Sequence, residues 1–204
     1  MPSKKKKIAV LVSGSGTNLQ AIIDAVKSGI LANTEISIVI SSKKDAFALK
    51  RAEMAEIENI FLTPADFSDN NEFDKKLIEI ISNYSVDLIV LAGYMRILTN
   101  EFINSFPNKI INIHPALLPD FGGKGMYGHK VHKAVLKSKV KESGCTVHYV
   151  IPEVDAGPII LQKTVAVLEN DTVDSLSKRI LSEEHKLLIE AIKKVLMDSH
   201  HCVI

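Results

Sequence analysis

The chain has 204 residues, 46% hydrophobic and 24% charged, with 25 Lys and Arg against 24 Asp and Glu. That is the composition of an ordinary globular domain, long enough to bury about 70% of the surface its unfolded chain exposes, and it excludes wholesale disorder and collagen-like repeats. A formal net charge of +1 gives no support to a nucleic-acid or membrane-surface binder, whose affinity rests on a cationic field; a small anion, by contrast, needs only a few local groups.

Residues 1–7 are basic and 8–12 (IAVLV) apolar, the order found in secretory leaders. Five apolar residues running into Ser13-Gly14-Ser15-Gly16 are too few for a leader, so 1–7 reads as a flexible basic tail before a buried strand. Further β-branched runs lie at 36–40, 88–91 and 109–113, each nearly continuous, as in strands covered on both faces. Between them run segments of helical period. Leu19, Ile22, Ile23 and Val26 share one face, with Gly29 as a stop; 45–56 presents Ala46, Leu49 and Ala52; and Phe73, Leu77, Ile80, Ile81 and Tyr84 mark a third helix. This alternation over 8–113 predicts a parallel α/β sheet with right-handed crossovers.

Residues 114–128 hold two prolines and four of the ten glycines, which predicts a long loop. A short helix at 129–139, strands at 145–151 and 159–168, and a closing helix carrying Leu176, Ile180, Leu187, Ala191 and Val195 complete the chain. Nothing divides it, so 1–204 reads as one domain. No apolar run approaches the ~20 residues of a membrane span. Two cysteines, Cys145 and Cys202, are too few for a disulfide scaffold. The expected compartment is the cytoplasm.

Three groups of residues could carry chemistry. The turn Ser13-Gly14-Ser15-Gly16-Thr17-Asn18 joins the first strand to the first helix, where free N–H groups and the helix dipole favour an anion. It is neither a dinucleotide fingerprint, since Leu19 stands at the third glycine position, nor a P-loop, since no Gly-Lys-Ser/Thr follows; the alternative is a tight turn capped by Thr17 or Ser15. In Asn112-Ile113-His114-Pro115 the period of 2 puts Asn112 and His114 on one face at the carboxyl end of a strand. An amide donor beside an imidazole can stabilise an oxyanion and move protons, although a polar strand end with a satisfied histidine reads equally well. Asp155 lies in the turn 152–158, bounded by prolines; alone it is a solvated turn residue, but near His114 it would favour the charged imidazole. His129 and His132 have helical spacing without a third ligand, and Cys145 and His148 point to opposite faces of a strand, so no metal site is expected. Cys145 reads as a structural thiol, and His200 and His201 as an inert terminus.

Five ordered motifs cover nearly the whole length: 11–22 (LVSGSGTNLQAI), 91–98 (LAGYMRIL), 112–119 (NIHPALLP), 144–148 (GCTVH) and 155–162 (DAGPIILQ). On these the chain resembles the phosphoribosylglycinamide formyltransferases of purine biosynthesis. The resemblance implies a Rossmann-like open, mostly parallel sheet with helices on both faces and an antiparallel element near the C-terminal part. It implies formyl transfer from 10-formyltetrahydrofolate to the amine of glycinamide ribonucleotide, with no metal and no covalent enzyme intermediate, by a monomer or weak homodimer. Gly16, Thr17 and Asn18 would hold the ribonucleotide phosphate and Glu184 the ribose. Met95, Arg96, Ile97, Leu98, Asn112 and the loop Ile151, Pro152, Glu153, Val154, Asp155 would bind the folate. Asn112, His114 and Asp155 would be catalytic, with Asp155 keeping His114 protonated.

Two features depart from the family pattern. The loop 121–128 (FGGKGMYG) is longer and richer in glycine than the proline-glycine version of many members, and reads as a flap offering Lys124 to the phosphate. Asn70 stands where relatives carry an Arg near the ligand. Methionyl-tRNA formyltransferases and formyltetrahydrofolate hydrolases share the core motifs but add a further domain. A non-catalytic nucleotide- or folate-binding module would have no use for Asn112, His114 and Asp155 together.

Overall fold

Each strand alternates its side chains between two buried layers, and that alternation organises the computed structural model, which describes residues 4–198. Cys202, His200, His201 and the first three residues of the basic tail lie outside the described residues. Strand β1 (Lys6–Val12) sends Ile8, Val10 and Val12 to one side, and Ala9 and Leu11 to the other. The first side is covered by α1 (Thr17–Lys27), α2 (Phe47–Met54), α5 (His129–Ser138) and α6 (Val173–Asp198). The second is covered by α3 (Asn70–Ser82) and α4 (Asn100–Ser105). Burial on both faces explains why the strand sequences are apolar without alternation.

The remaining strands are β2 (Thr34–Ser41), β3 (Asn59–Phe61), β4 (Leu88–Leu91), β5 (Ile110–His114), β6 (Glu142–Tyr149) and β7 (Ile159–Ala166), in the order β3-β2-β1-β4-β5-β6-β7. The first five pair in parallel; β6 and β7 are antiparallel. The open, mostly parallel sheet with helices on both faces and an antiparallel C-terminal part is therefore the one expected. Between β1 and β4 the strand order reverses, and open α/β sheets bind ligands beyond the carboxyl ends of the strands at such a crevice. Ser13 ties its two sides together: its Oγ accepts from Met95 N at 2.9 Å and lies 2.7 Å from Ser42 Oγ.

Several elements differ from expectation: β6 runs from Glu142 to Tyr149 where 145–151 was expected, and β7 ends at Ala166 rather than 168. Strand β1 takes in Lys6 and Lys7, which the sequence assigned to the tail: Asp87 accepts from Lys7 N at 2.8 Å and from Lys6 Nζ at 3.3 Å, fixing both in register with Thr34 and Glu35. Strand β3 and helix α4 were not anticipated. One has three residues and the other six, too short for a periodic signal, although Thr99 caps α4 by accepting from Phe102 N. No helix among the described residues is long and apolar enough to cross a membrane.

Candidate active site

Helix α1 starts at Gly16, whose φ of 70° is left-handed, and no side chain caps it. Neither Thr17 nor Ser15 plays the capping role that was the alternative to anion binding, so the first N–H groups of the helix remain available. A side chain at Gly16 would have its Cβ 2.6 Å from Ala48 Cβ, so α2 packs directly on the turn. Asn18, 7% exposed, donates from Nδ2 to Glu184 Oε2 at 2.9 Å, and its Oδ1 has no partner. Glu184 is itself buried. Burial pushes its carboxyl above the usual range, with the Asn18 bond acting the other way. The first loop and the last helix thus meet in one buried pair.

At the carboxyl end of β5, Asn112 and His114 share a face, with Ile113 on the opposite one in the core beneath α1 and α6. Asn112 pairs with His148 across the β5–β6 ladder, and Asn112 Nδ2 lies 3.1 Å from His148 Nε2. His148 Nδ1 lies 2.9 Å from the Tyr149 carbonyl oxygen, which can only accept, so Nδ1 donates to it; in the neutral imidazole Nε2 then accepts from Asn112. This leaves the second amide N–H of Asn112 for a ligand.

His114, 3% exposed, donates from Nε2 to the Phe121 carbonyl at 2.9 Å, and its Nδ1 lies 3.5 Å from Asp155 Oδ2. Burial lowers the imidazole below its ordinary 6.5 and outweighs Asp155 and the Phe121 carbonyl, which both raise it. The net direction is opposite to that expected from Asp155 alone, because the imidazole has lost almost all its water while the carboxylate stands beyond hydrogen-bond length. Asp155 adopts φ 57°, a left-handed conformation that Asp tolerates. Its Oδ2 accepts from Gly123 N at 3.0 Å, and its Oδ1 lies 3.6 Å from His148 Nε2. Burial raises its carboxyl, but the contact with His148, the charge of His114 and the Gly123 N–H together hold it below the usual range.

These groups open onto a cavity of about 600 Å³. It is lined by Met95, Arg96, Ile97 and Leu98, by the loop from Ile151 to Asp155, by Asn112 and His114, and by Ser15, Asn18 and Glu184. Lys124, Met126 and Tyr127 of the glycine-rich loop border it as well. Every expected site residue lines the cavity except Gly16 and Thr17, which lie between Ser15 and Asn18 in the chain at the start of α1. Arg96 stacks 4.2 Å over the Phe73 ring and donates to Asn70 Oδ1 at 2.7 Å, while its Nε is buried without a partner. Asn70, which stands where relatives carry an Arg near the ligand, accepts from the arginine that borders the cavity. Among the described residues no group of three or more His, Cys, Asp or Glu is arranged to hold a metal.

Residues 6–192 match the family described as formyl transferase. The chain belongs to the formyl transferase family. It is 45% identical to glycinamide ribonucleotide transformylase 1 from Symbiobacterium toebii, with a TM-score of 0.89, covering 98% of this chain and 91% of that one. It is 41% identical over 93% of its length to a chloroplastic phosphoribosylglycinamide formyltransferase of Arabidopsis thaliana, and 42% identical over 95% to a trifunctional purine biosynthetic protein of Gallus gallus. The chain spans 65% of the first of these proteins and 19% of the second.

Sequence reasoning about this formyl transferase missed three participants. His148 was weighed only as a metal ligand, and its place beside Asn112 follows from a strand register that one sequence does not reveal. Phe121 and Gly123 act through backbone atoms, for which no side chain gives a signal.

Proposed function

We propose that this formyl transferase moves a formyl group from 10-formyltetrahydrofolate to the amine of glycinamide ribonucleotide, a step of purine biosynthesis. The observation that carries the reading is the meeting of Asn112, His114 and Asp155, from two segments 41 residues apart, at a cavity also lined by Ser15 and Asn18 of the turn before α1 and by the buried carboxyl of Glu184. The relatives named above support the choice of substrates.

The ribonucleotide phosphate sits at the turn 13–18, the ribose against Glu184, and the amine points toward His114. The donor lies along Met95, Ile97 and Val154, whose apolar side chains stay 45%, 54% and 37% exposed with nothing of the chain over them. Arg96, which lines the cavity, faces the donor's carboxylates. The donor supplies an activated formyl carbonyl, and attack by the amine builds negative charge on its oxygen. The spare N–H of Asn112 donates to that oxygen. Neutral His114 accepts the proton released by the amine at Nδ1, where its lone pair faces the Asp155 carboxylate across 3.5 Å. The resulting imidazolium is held by Asp155, stabilises the oxyanion, and returns the proton to the departing folate nitrogen.

The test is transfer measured with both substrates, run beside Asn112→Ala. We expect kcat to fall by about 10²–10³ with ribonucleotide affinity retained. No transfer by the wild type, or equal rates in the variant, would sink the reading. Formate release at a comparable rate without the amine would identify a hydrolase instead.

A further inference from the structure

Helix α2 contributes no residue to the cavity among those described, yet it grips the glycine turn through two of its carbonyls. Gly14 O accepts from Ala48 N at 3.1 Å, and Ser15 O accepts from Arg51 Nε at 2.8 Å. In a trans peptide the C=O and N–H point in opposite directions, and Leu118-Pro119 is the only cis bond among the described residues. Drawing the Gly14 and Ser15 carbonyls toward α2 therefore turns the N–H groups of Ser15 and Gly16 away from it, and Ser15 and Asn18 of the same turn line the cavity. Beside those amides Asn18 Oδ1 is buried and unpartnered.

Arg51 is built to hold this orientation. Its guanidinium spans two acceptors, Ser15 O through Nε and Gln20 Oε1 through Nη1 at 3.0 Å, and lies 4.9 Å over the Phe47 ring. Gln20 is anchored in turn by Nε2 donating to Asp24 Oδ1 at 2.9 Å. A cation on a peptide oxygen also polarises that peptide and makes its N–H a stronger donor. The peptide in question ends in the N–H of Gly16, at the start of α1.

We propose that Arg51 is a positioning residue for phosphate recognition: from behind the turn it aims and strengthens the Ser15 and Gly16 amides that hold the phosphate of the substrate. The proposal rests on the ribonucleotide reading given above and adds to it a group that never touches the ligand. Its signature is selectivity. A side chain that merely supports the fold would affect all ligands alike, whereas Arg51 acts on the phosphate alone.

The experiment compares glycinamide ribonucleotide with the dephosphorylated glycinamide riboside, in the wild type and in Arg51→Met, which keeps a long unbranched apolar stem without the guanidinium. Removing a charge-assisted bond should raise the ribonucleotide KM roughly tenfold, leave kcat within about twofold, and leave the riboside KM unchanged. Competitive inhibition by inorganic phosphate should weaken by the same factor. An equal loss for both ligands, or no loss for either, overturns the proposal. If the wild type itself fails to distinguish ribonucleotide from riboside and ignores inorganic phosphate, the phosphate reading fails and the proposal with it. Thermal melting reports whether Arg51→Met folds. Should it not, Arg51→Lys retains the charge without the two-pronged grip; it should shift the ribonucleotide-to-riboside ratio by roughly threefold, and an unshifted ratio overturns the proposal.

Discussion

Replacing Asp155 by Asn removes one charge and little else. Asn tolerates the left-handed φ of 57° at this position and can still accept the Gly123 N–H, so the turn is expected to keep its shape. What disappears is the attraction between a carboxylate and an imidazolium 3.5 Å apart. At an effective dielectric constant of about 20, unit charges at that separation attract by about 5 kcal/mol, a ceiling of somewhat more than 10³ in rate. Water entering beside the loop, and the amide dipole that remains, reduce this, so kcat should fall by about 10²–10³ with ribonucleotide KM within about threefold. The pH profile supplies the sign. Asp155 raises the His114 pKa and burial lowers it; without the carboxylate the pKa drops further below 6.5, and the acid limb of kcat, which requires neutral His114, moves to lower pH. Single-turnover transfer measured between about pH 5 and 8 reads both effects. A kcat within tenfold of the wild type, or an acid limb that stays in place, would refute the partnership of Asp155 and His114.

Three more outcomes follow from the same geometry. Gly16→Ala puts a Cβ 2.6 Å from Ala48 Cβ at a φ of 70°, so urea denaturation should show a loss of about 2–4 kcal/mol; a loss below about 1 kcal/mol would mean α2 yields freely. Glu184→Gln preserves the Asn18 bond and the shape of a carboxyl already pushed toward its neutral form, so the melting temperature should stay within a few degrees while the ribonucleotide KM rises roughly tenfold; an unchanged KM removes Glu184 from the ribose. His132, 3% exposed with Nδ1 unpartnered, is driven by burial down to about 4. The unfolded chain then binds a proton that the native one refuses, and stability falls as pH drops from 6.5 toward 4, by on the order of 2 kcal/mol after screening. His132→Gln should flatten that part of the profile measured by denaturant unfolding, and an unaltered slope would show that His132 is not its source.

The sheet was legible because its strands are short, β-branched and buried on both faces, and the helices because Leu19, Ile22 and Ile23, or Phe73, Leu77 and Ile81, fall on single faces. The shared face of Asn112 and His114 followed from strand period alone. What period cannot supply is pairing across the sheet: His148 reaches Asn112 only because Asn112 opposes it in an antiparallel ladder, with a register shift between Val147 and His148. Nor can it supply a turn that folds back over a sheet face, which is how Asp155 comes within reach of His114. The protonation state of His114 was also out of reach, since it is decided by burial competing with one carboxylate, and burial is a property of the folded chain.

The bond between Asn18 and Glu184 joins residues separated by 166 positions. A chain emerging from the ribosome therefore exposes its glycine turn long before α6 exists to complete the pocket. Until Glu184 arrives, Asn18 lacks its buried partner, and the proposed ribose site is incomplete. Substrate can stabilise only the finished molecule, because binding favours whatever state holds the site. The closing helix thus completes the pocket last, and substrate that needs Glu184 would stabilise only a chain that has folded α6 against the turn.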